Sequence, residues 1–285
     1  MAEIERAEGQ RAFGIDPTGY DQARPDYPPR VYEILHDRCG LRPGARTFEI
    51  GPGTGVATRH LLLLGSAPLV VVEPDERLAR YLTTKLGQIA SGIEVKIATF
   101  EDAELPVGWF DLGTAATVLH WLDEEAALRK IAGILRPGGW WAMWWNVFGD
   151  PSQRDEFHEA THSLLEHLDR SPSSSSDGRP PFALDVDTRI AQLRSVGAFD
   201  HITSDTIRWT ALLDPGQVTR LYATFPSISR LRPAEQQRLL AELGRIAEDQ
   251  FGGRVERHMV TPIYTARRRD SDPACQARAG LEKCV

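Results

Sequence analysis

The run Glu49-Ile50-Gly51-Pro52-Gly53-Thr54-Gly55 sets three glycines at alternate positions directly behind a carboxylate. Glycines so spaced let the backbone turn sharply and let a ligand approach the main chain. A helix starting near Val56 turns its first N–H groups toward the same ligand. Glu73 ends the apolar run Leu69-Val70-Val71-Val72, where an acidic side chain accepts from both hydroxyls of a ribose. A nicotinamide-dinucleotide site uses G-x-G-x-x-G, with the pyrophosphate at the helix start. Here the sixth position is Val56 counted from Gly51, or Thr58 counted from Gly53. Glu49 suits a ligand with a cationic amine and a sulfonium, and repels a pyrophosphate. A tight strand–helix turn with no ligand is the bland alternative.

Other residues point to the same edge of a sheet. Thr99-Phe100-Glu101 offers an acid for an adenine amino group and an aromatic ring to stack on the base. Leu119-His120-Trp121-Leu122 follows the fourth strand, where ligands of open α/β sheets bind. His120 is the candidate acid/base or substrate hydrogen bond. Tyr20, Arg24 and Tyr27 can close over a cofactor, the arginine toward a carboxylate and a tyrosine ring toward a sulfonium. Trp121, Trp144 and Trp145 can form an aromatic wall, and alternation turns one of the last two to the core. Asn146 is a candidate polar contact, and Tyr222, Phe225 and Arg230 are lid candidates, Arg230 pairing with an acidic substrate. The plainer readings are Phe100 as core, Glu101 and Arg230 as surface, His120 as structural, and Tyr20–Tyr27 as a segment packed by aromatic burial.

The elements that must position these groups alternate. Strands are expected over Thr47–Ile50, Leu69–Val72, Ile93–Ala98, Phe110–Val118 and Trp140–Val147. Helices are expected between them over Val56–Leu64, Asp75–Gln88 and Asp123–Leu135, the last stopped by Arg136-Pro137-Gly138-Gly139. A helix from Pro29 to Cys39 precedes them, and the first dozen residues are read as frayed or loosely helical. This spacing implies a parallel, doubly wound α/β sheet. After Gly149-Asp150-Pro151 come helices over Gln153–Leu168 and Val186–Val196, then strands over Phe199–Trp209 and Val255–Ala266. Two helices, Gly216–Thr224 and Pro233–Asp249, separate those strands. The division is a cap segment (1–30), a core (31–149), a helical insertion with a mobile Ser171–Pro181 loop (150–198), the last strands with a lid (199–268) and a disordered tail (269–285).

The chain of 285 residues carries a formal net charge of −7. That argues against a nucleic-acid partner, which a basic face would serve. The three cysteines, Cys39, Cys275 and Cys284, have no metal-ligand spacing; no metal is expected, and pairing of Cys275 with Cys284 is open. No apolar run spans a bilayer and no signal peptide is evident, so the reading is cytoplasmic, without a membrane partner, with a homodimer left open.

Taken together, Tyr20…Arg24-Pro25-x-Tyr27-Pro28, the Glu49–Gly55 loop, Val72-Glu73-Pro74, Phe100-Glu101, His120-Trp121-Leu122 and Leu135–Gly139 resemble the class I methyltransferases. Among them the chain is similar to a small-molecule subgroup typified by trans-aconitate methyltransferase. The resemblance covers residues 13–147. It implies a Rossmann-like, seven-stranded sheet with the last strand antiparallel and a helical lid. It implies S-adenosyl-L-methionine as cofactor, held by Tyr20, Arg24, Glu49, Gly51, Gly53, Gly55, Glu73, Pro74, Phe100, Glu101 and Thr117. The small-molecule acceptor then meets Tyr27, His120, Trp121, Trp145, Asn146, Tyr222 and Arg230, with His120 catalytic. A cofactor-binding relative without methyl transfer, an NAD-dependent oxidoreductase and a nucleic-acid methyltransferase are the alternatives.

Overall fold

Leu69–Val72 forms the buried half of strand β2 (Ser66–Val72). An uninterrupted β-branched run is what a strand covered on both faces requires. The computed structural model describes residues 3–87, 92–174 and 179–270. Beside β2 lie β1 (Ala45–Ile50), β3 (Ile93–Lys96), β4 (Phe110–Ala116) and β5 (Leu135–Trp144). These five pair in parallel in the order β3-β2-β1-β4-β5. The sheet continues through β8 (Val255–Arg268), antiparallel to β5, and β7 (Phe199–Leu213) lies antiparallel on the far side of β8. The two-residue strand β6 (Val147–Phe148) also pairs with β8 and makes an eighth strand beyond the expected seven.

Helices cover both faces. On one lie α3 (Pro29–Asp37), α4 (Thr58–Leu63) and α5 (Glu76–Leu86), which bury Leu35, Leu61 and Leu82 against β2. Helix α5 starts where the Asp75 carboxylate accepts from Arg77 N at 2.9 Å, the ordinary N-cap device. Its buried Leu78, Leu82 and Leu86 recur every fourth residue, which keeps one face on the sheet. On the other face, α6 (Glu124–Ile134) and α8 (Val186–Ser195) pack on Phe48, Phe110 and Trp141. A third cluster joins α7 (Glu156–Leu165), α9 (Pro215–Ala223) and α11 (Pro233–Asp249) through Phe157, Tyr222 and Leu243. With the short α10 (Pro226–Ser229) they make up a helical lid, which takes in α7 besides the helices of the expected Gly216–Asp249 span.

Several expectations are corrected. Arg136–Gly139 ends α6 but does not precede β5; it lies inside the strand. Phe110 pairs with Leu135 and Leu112 with Trp140, so the extra residues are absorbed by a shift of register. Strand five ends at Trp144, before Asn146. The N-terminal segment is ordered into α1 (Arg6–Phe13) and α2 (Pro17–Ala23). Helix α1 docks because Gly9 leaves room for Trp121: a Cβ there would lie 2.3 Å from the indole. Trp144 and Trp145 are both buried but on opposite faces of the sheet, as their alternation implied: Trp144 lies in the core under α3, α4 and α5, and Trp145 on the side of α6 and α8. Gln88, residues 175–178 of the Ser171–Pro181 loop, the tail from residue 271, Cys275 and Cys284 lie outside the described residues. Among the described residues no helix is long and apolar enough to cross a membrane.

Candidate active site

The carboxyl ends of β1, β2 and β4 open into a cavity of about 1090 Å³, closed above by α1, α2 and the lid. The glycine loop forms its floor. Gly51 has φ +59° and an added Cβ would sit 2.5 Å from Val118, so neither conformation nor packing admits a side chain. Gly53 has φ +58° with nothing within 4 Å of its missing Cβ. That face of the backbone is open to the cavity, as close approach of a ligand requires. Gly55 completes the turn into α4.

Glu49 stands at the end of β1, 1% exposed, with both carboxylate oxygens buried and, apart from the nearby Thr58 side chain, without a hydrogen-bond partner among the described residues. Burial pushes its carboxyl up to about 8. Glu73 ends β2 and is anchored. Its Oε2 accepts from Gly53 N at 3.0 Å and its Oε1 from Asp75 N at 3.0 Å. Burial pushes it to about 7. Two backbone bonds leave a carboxylate with lone pairs to spare, so the expected ribose contact remains open. Pro74, Thr99 and Glu101 continue the wall. Phe100 lines it as well, but its ring is 2% exposed and stacked with Phe48 at 9° between planes. That burial favours its core reading over the stacking one, although the residue still borders the cavity.

Arg24 reaches the cavity from the end of α2. Its guanidinium lies 5.0 Å from the Tyr20 ring centre, 4.9 Å from Phe225 and 5.8 Å from Phe148. It donates to Thr224 O at 3.2 Å, and its Nε is buried without a partner. A buried carboxyl group, which a cation would drive to ionise, and an arginine caged by rings thus share one cavity. This pair complements the ammonium and carboxylate of an amino-acid ligand, and the residues fit S-adenosylmethionine on that ground.

Thr117 follows β4 with φ +59°, a strained conformation for a β-branched residue. It is held by Thr117 N donating to Trp144 O at 2.7 Å and by its hydroxyl 2.9 Å from Tyr27 Oη. Burial pushes the Tyr27 hydroxyl above the ordinary phenol range. His120 lies in the next turn (Leu119–Trp121), 4% exposed. Trp145 Nε1 donates to His120 Nδ1 at 3.1 Å. An indole only donates, so Nδ1 is the acceptor and the imidazole proton sits on Nε2. Desolvation lowers the imidazolium to about 3. Both point to a neutral hydrogen-bond donor, and so favour the second of its two expected roles, a substrate hydrogen bond, over acid/base chemistry.

Trp121 and Tyr222 line the cavity as expected. Tyr222 is buried, and its hydroxyl accepts from Arg257 Nη1 at 2.6 Å. Arg257 also donates from Nε to Asp155 at 2.9 Å. Asn146 is on the wall, but its amide is spent on the protein. Oδ1 accepts from Thr261 Oγ1 at 2.7 Å and Nδ2 donates to Asp26 O at 3.2 Å. It ties down the Tyr20–Tyr27 segment, which corrects the substrate-contact expectation. Arg230 lies away from the cavity wall and donates to Glu8 Oε1 from Nε at 2.9 Å and Nη2 at 2.6 Å. Its charge joins α10 to α1, and it is not available to an acidic substrate. Phe148, Asp155 and Arg257 escaped the sequence reading; Phe148 and Arg257 only disclose their roles through partners distant in the chain.

Comparison with known proteins gives the frame a family. A methyltransferase domain model matches residues 48–143. An uncharacterized methyltransferase of Schizosaccharomyces pombe is 25% identical over 264 residues, covering 90% of this chain and 96% of its own length. An uncharacterized methyltransferase of Mycobacterium tuberculosis is 30% identical over 213 residues, 75% of this chain and 76% of its own. Among solved structures, the YcgJ protein of Bacillus subtilis superposes with a TM-score of 0.52 at 15% identity, over 84% of this chain and 97% of that one. The [4+2]-cyclase SpnF gives a TM-score of 0.57 at 15% identity, over 95% and 98%. These superpositions speak for the fold, which serves more than one reaction; the sequence relatives carry the assignment. The chain belongs to the class I S-adenosylmethionine-dependent methyltransferases.

Proposed function

We propose that this enzyme methylates a small molecule at an oxygen that needs no deprotonation, a carboxylate. The observation that carries the reading is the hydrogen bond from Trp145 to His120 Nδ1. It makes the imidazole at the cavity wall a donor, and a donor serves an acceptor oxygen that already has its lone pair free. A base would serve an alcohol or an ammonium. The similarity to the trans-aconitate methyltransferase subgroup supports the same acceptor chemistry.

S-Adenosylmethionine, when bound, supplies an activated methyl group. The chain's own residues align and exclude water. In this reading Gly51, Gly53 and Gly55 lay open backbone against the cofactor. Glu73 and Pro74 take the ribose end, Glu101 the base, Glu49 the ammonium, and Arg24 with Tyr20 the carboxylate. Thr117 and Tyr27, joined through their hydroxyls, would help hold the reacting end of the cofactor. His120 Nε2–H holds the acceptor oxygen, while Trp121, Trp145 and Tyr222 dry the chamber.

The test is incubation of the enzyme with methyl-tritiated cofactor and pools of small carboxylic acids. The expected product carries label that mild alkali releases as methanol, the signature of a methyl ester. Alkali-stable label, as in an ether, a methylamine or a C-methyl product, would sink the carboxylate reading.

A further inference from the structure

Lys130 sits on α6 and is not among the residues read from the sequence. Its Nζ donates to the carbonyl oxygens of Phe100 at 2.6 Å, Glu101 at 2.9 Å and Ala103 at 2.7 Å. An ammonium has three protons, and these three carbonyls take them all. Thr99 closes the same turn from its other end: its hydroxyl donates to Asp102 Oδ2 at 2.8 Å and accepts from Asp102 N at 3.2 Å. Thr99, Phe100 and Glu101 line the cavity, with the Phe100 ring sunk in the core and Glu101 exposed. The turn is thus gripped by a side chain that is not itself on the cavity wall, which leaves the cavity-lining residues Thr99 to Glu101 for a ligand.

We infer that Lys130 is a positioning residue for the purine end of the cofactor. It fixes the main chain of residues 99–103 so that Glu101 and the adjoining backbone meet the base edge. The inference rests on the cofactor of the family and is independent of the proposed acceptor. Lys130→Met leaves three converging carbonyls without a donor, and the turn reorganises toward water. Lys130→Arg keeps the charge but replaces a compact ammonium with a flat fork that cannot converge on three oxygens.

The experiment is calorimetric titration of wild type, Lys130→Met and Lys130→Arg with two ligands. One is S-adenosylhomocysteine; the other is its inosine counterpart, in which the 6-amino group is replaced by oxygen. Thermal unfolding is followed in parallel. Both variants are expected to lose about tenfold or more in affinity for the adenine ligand and about threefold or less for the inosine ligand. KM for the cofactor rises, and kcat at saturation holds. Equal losses for the two ligands, or unchanged affinity for both, overturns the inference. If Lys130→Met does not unfold cooperatively, Lys130→Arg carries the same criterion. Failure of the wild type to bind S-adenosylhomocysteine would overturn the cofactor reading itself, a result the variants cannot mimic.

Discussion

Trp145 donates its indole N–H to His120 Nδ1 across 3.1 Å, and both rings are buried at the cavity wall. One bond thereby selects the tautomer and the direction in which the imidazole donates. Trp145→Phe keeps most of the ring and removes the donor. Loss of a neutral hydrogen bond is worth about 1 kcal/mol, so kcat should fall roughly fivefold with KM for the cofactor unchanged. His120→Ala should lower kcat further. Steady-state kinetics on both variants checks this. Equal loss of melting temperature and kcat in both, with the remaining folded fraction fully active, would make the pair structural.

A neutral His120 also shapes the pH profile. Its imidazolium is lowered to about 3 by burial, so it stays uncharged throughout the ordinary assay range. The kcat profile between pH 5 and 8 should show no inflection near the usual histidine value. An inflection near 6.5 that disappears in His120→Gln would reinstate an acid/base histidine.

Cofactor binding should be linked to a proton. Burial raises Glu49 to about 8 and Glu73 to about 7 in the ligand-free protein. A cation against Glu49 lowers its value, so binding below pH 8 expels a proton and affinity rises with pH, up to about tenfold per unit for one proton. Above pH 8 the curve flattens. Stability runs the other way. Both folded values lie above the unfolded one, so the native state binds more protons; the stabilisation is complete below about 4.5 and is lost as pH rises through 7 and 8. Calorimetry and thermal melts from pH 5 to 9 measure both slopes. Glu49→Gln should flatten the affinity slope to the share of Glu73. A wild-type affinity independent of pH contradicts this account.

How much of this was legible beforehand follows from where each signal is stored. The glycine loop and the end of β2 are local: three glycines, one carboxylate and one β-branched run are contiguous in the chain and obey backbone sterics. The α5 face is local too, through its leucines. The pairings that set side-chain roles are not. Arg230 looked free for an acidic substrate, yet its partner Glu8 stands 222 positions away. Asn146 looked like a substrate contact until Thr261 and Asp26 took its amide. Phe100 was assigned to the base because its position was right, whereas its burial against Phe48 depends on packing across two strands. Gly9 carried no motif, although it admits Trp121.

Glu73 also has a part in the protein itself, apart from the ribose contact proposed for it. It bridges Gly53 N and Asp75 N, and so holds the glycine loop to the start of α5. Glu73→Ala should therefore weaken cofactor binding by about 1–3 kcal/mol from the lost contact and lower the melting temperature of the ligand-free protein as well. Glu73→Gln should not rescue either effect, because its NH₂ faces a backbone N–H. Isothermal titration with S-adenosylhomocysteine, paired with thermal melts, separates the two. Full retention of affinity in Glu73→Ala would mean that the ribose lies elsewhere.

Arg24 gives the sharpest test of ligand orientation. Three aromatic rings surround its guanidinium, its Nε is buried and unpartnered, and one backbone carbonyl takes Nη2. A charge-assisted pair with a carboxylate satisfies what the cage leaves open. Arg24→Met should raise the Kd for S-adenosylhomocysteine roughly 10–100-fold, the cost of a bond to a charged group at about 1.5–3 kcal/mol. The same variant should bind the decarboxylated analogue as the wild type does, since that ligand has nothing for Arg24 to hold. Arg24→Lys should recover little, because a compact ammonium cannot lie flat among the rings. Equal weakening toward both ligands would show that Arg24 supports the lid through Thr224 and Phe225 and does not read the amino-acid end of the cofactor.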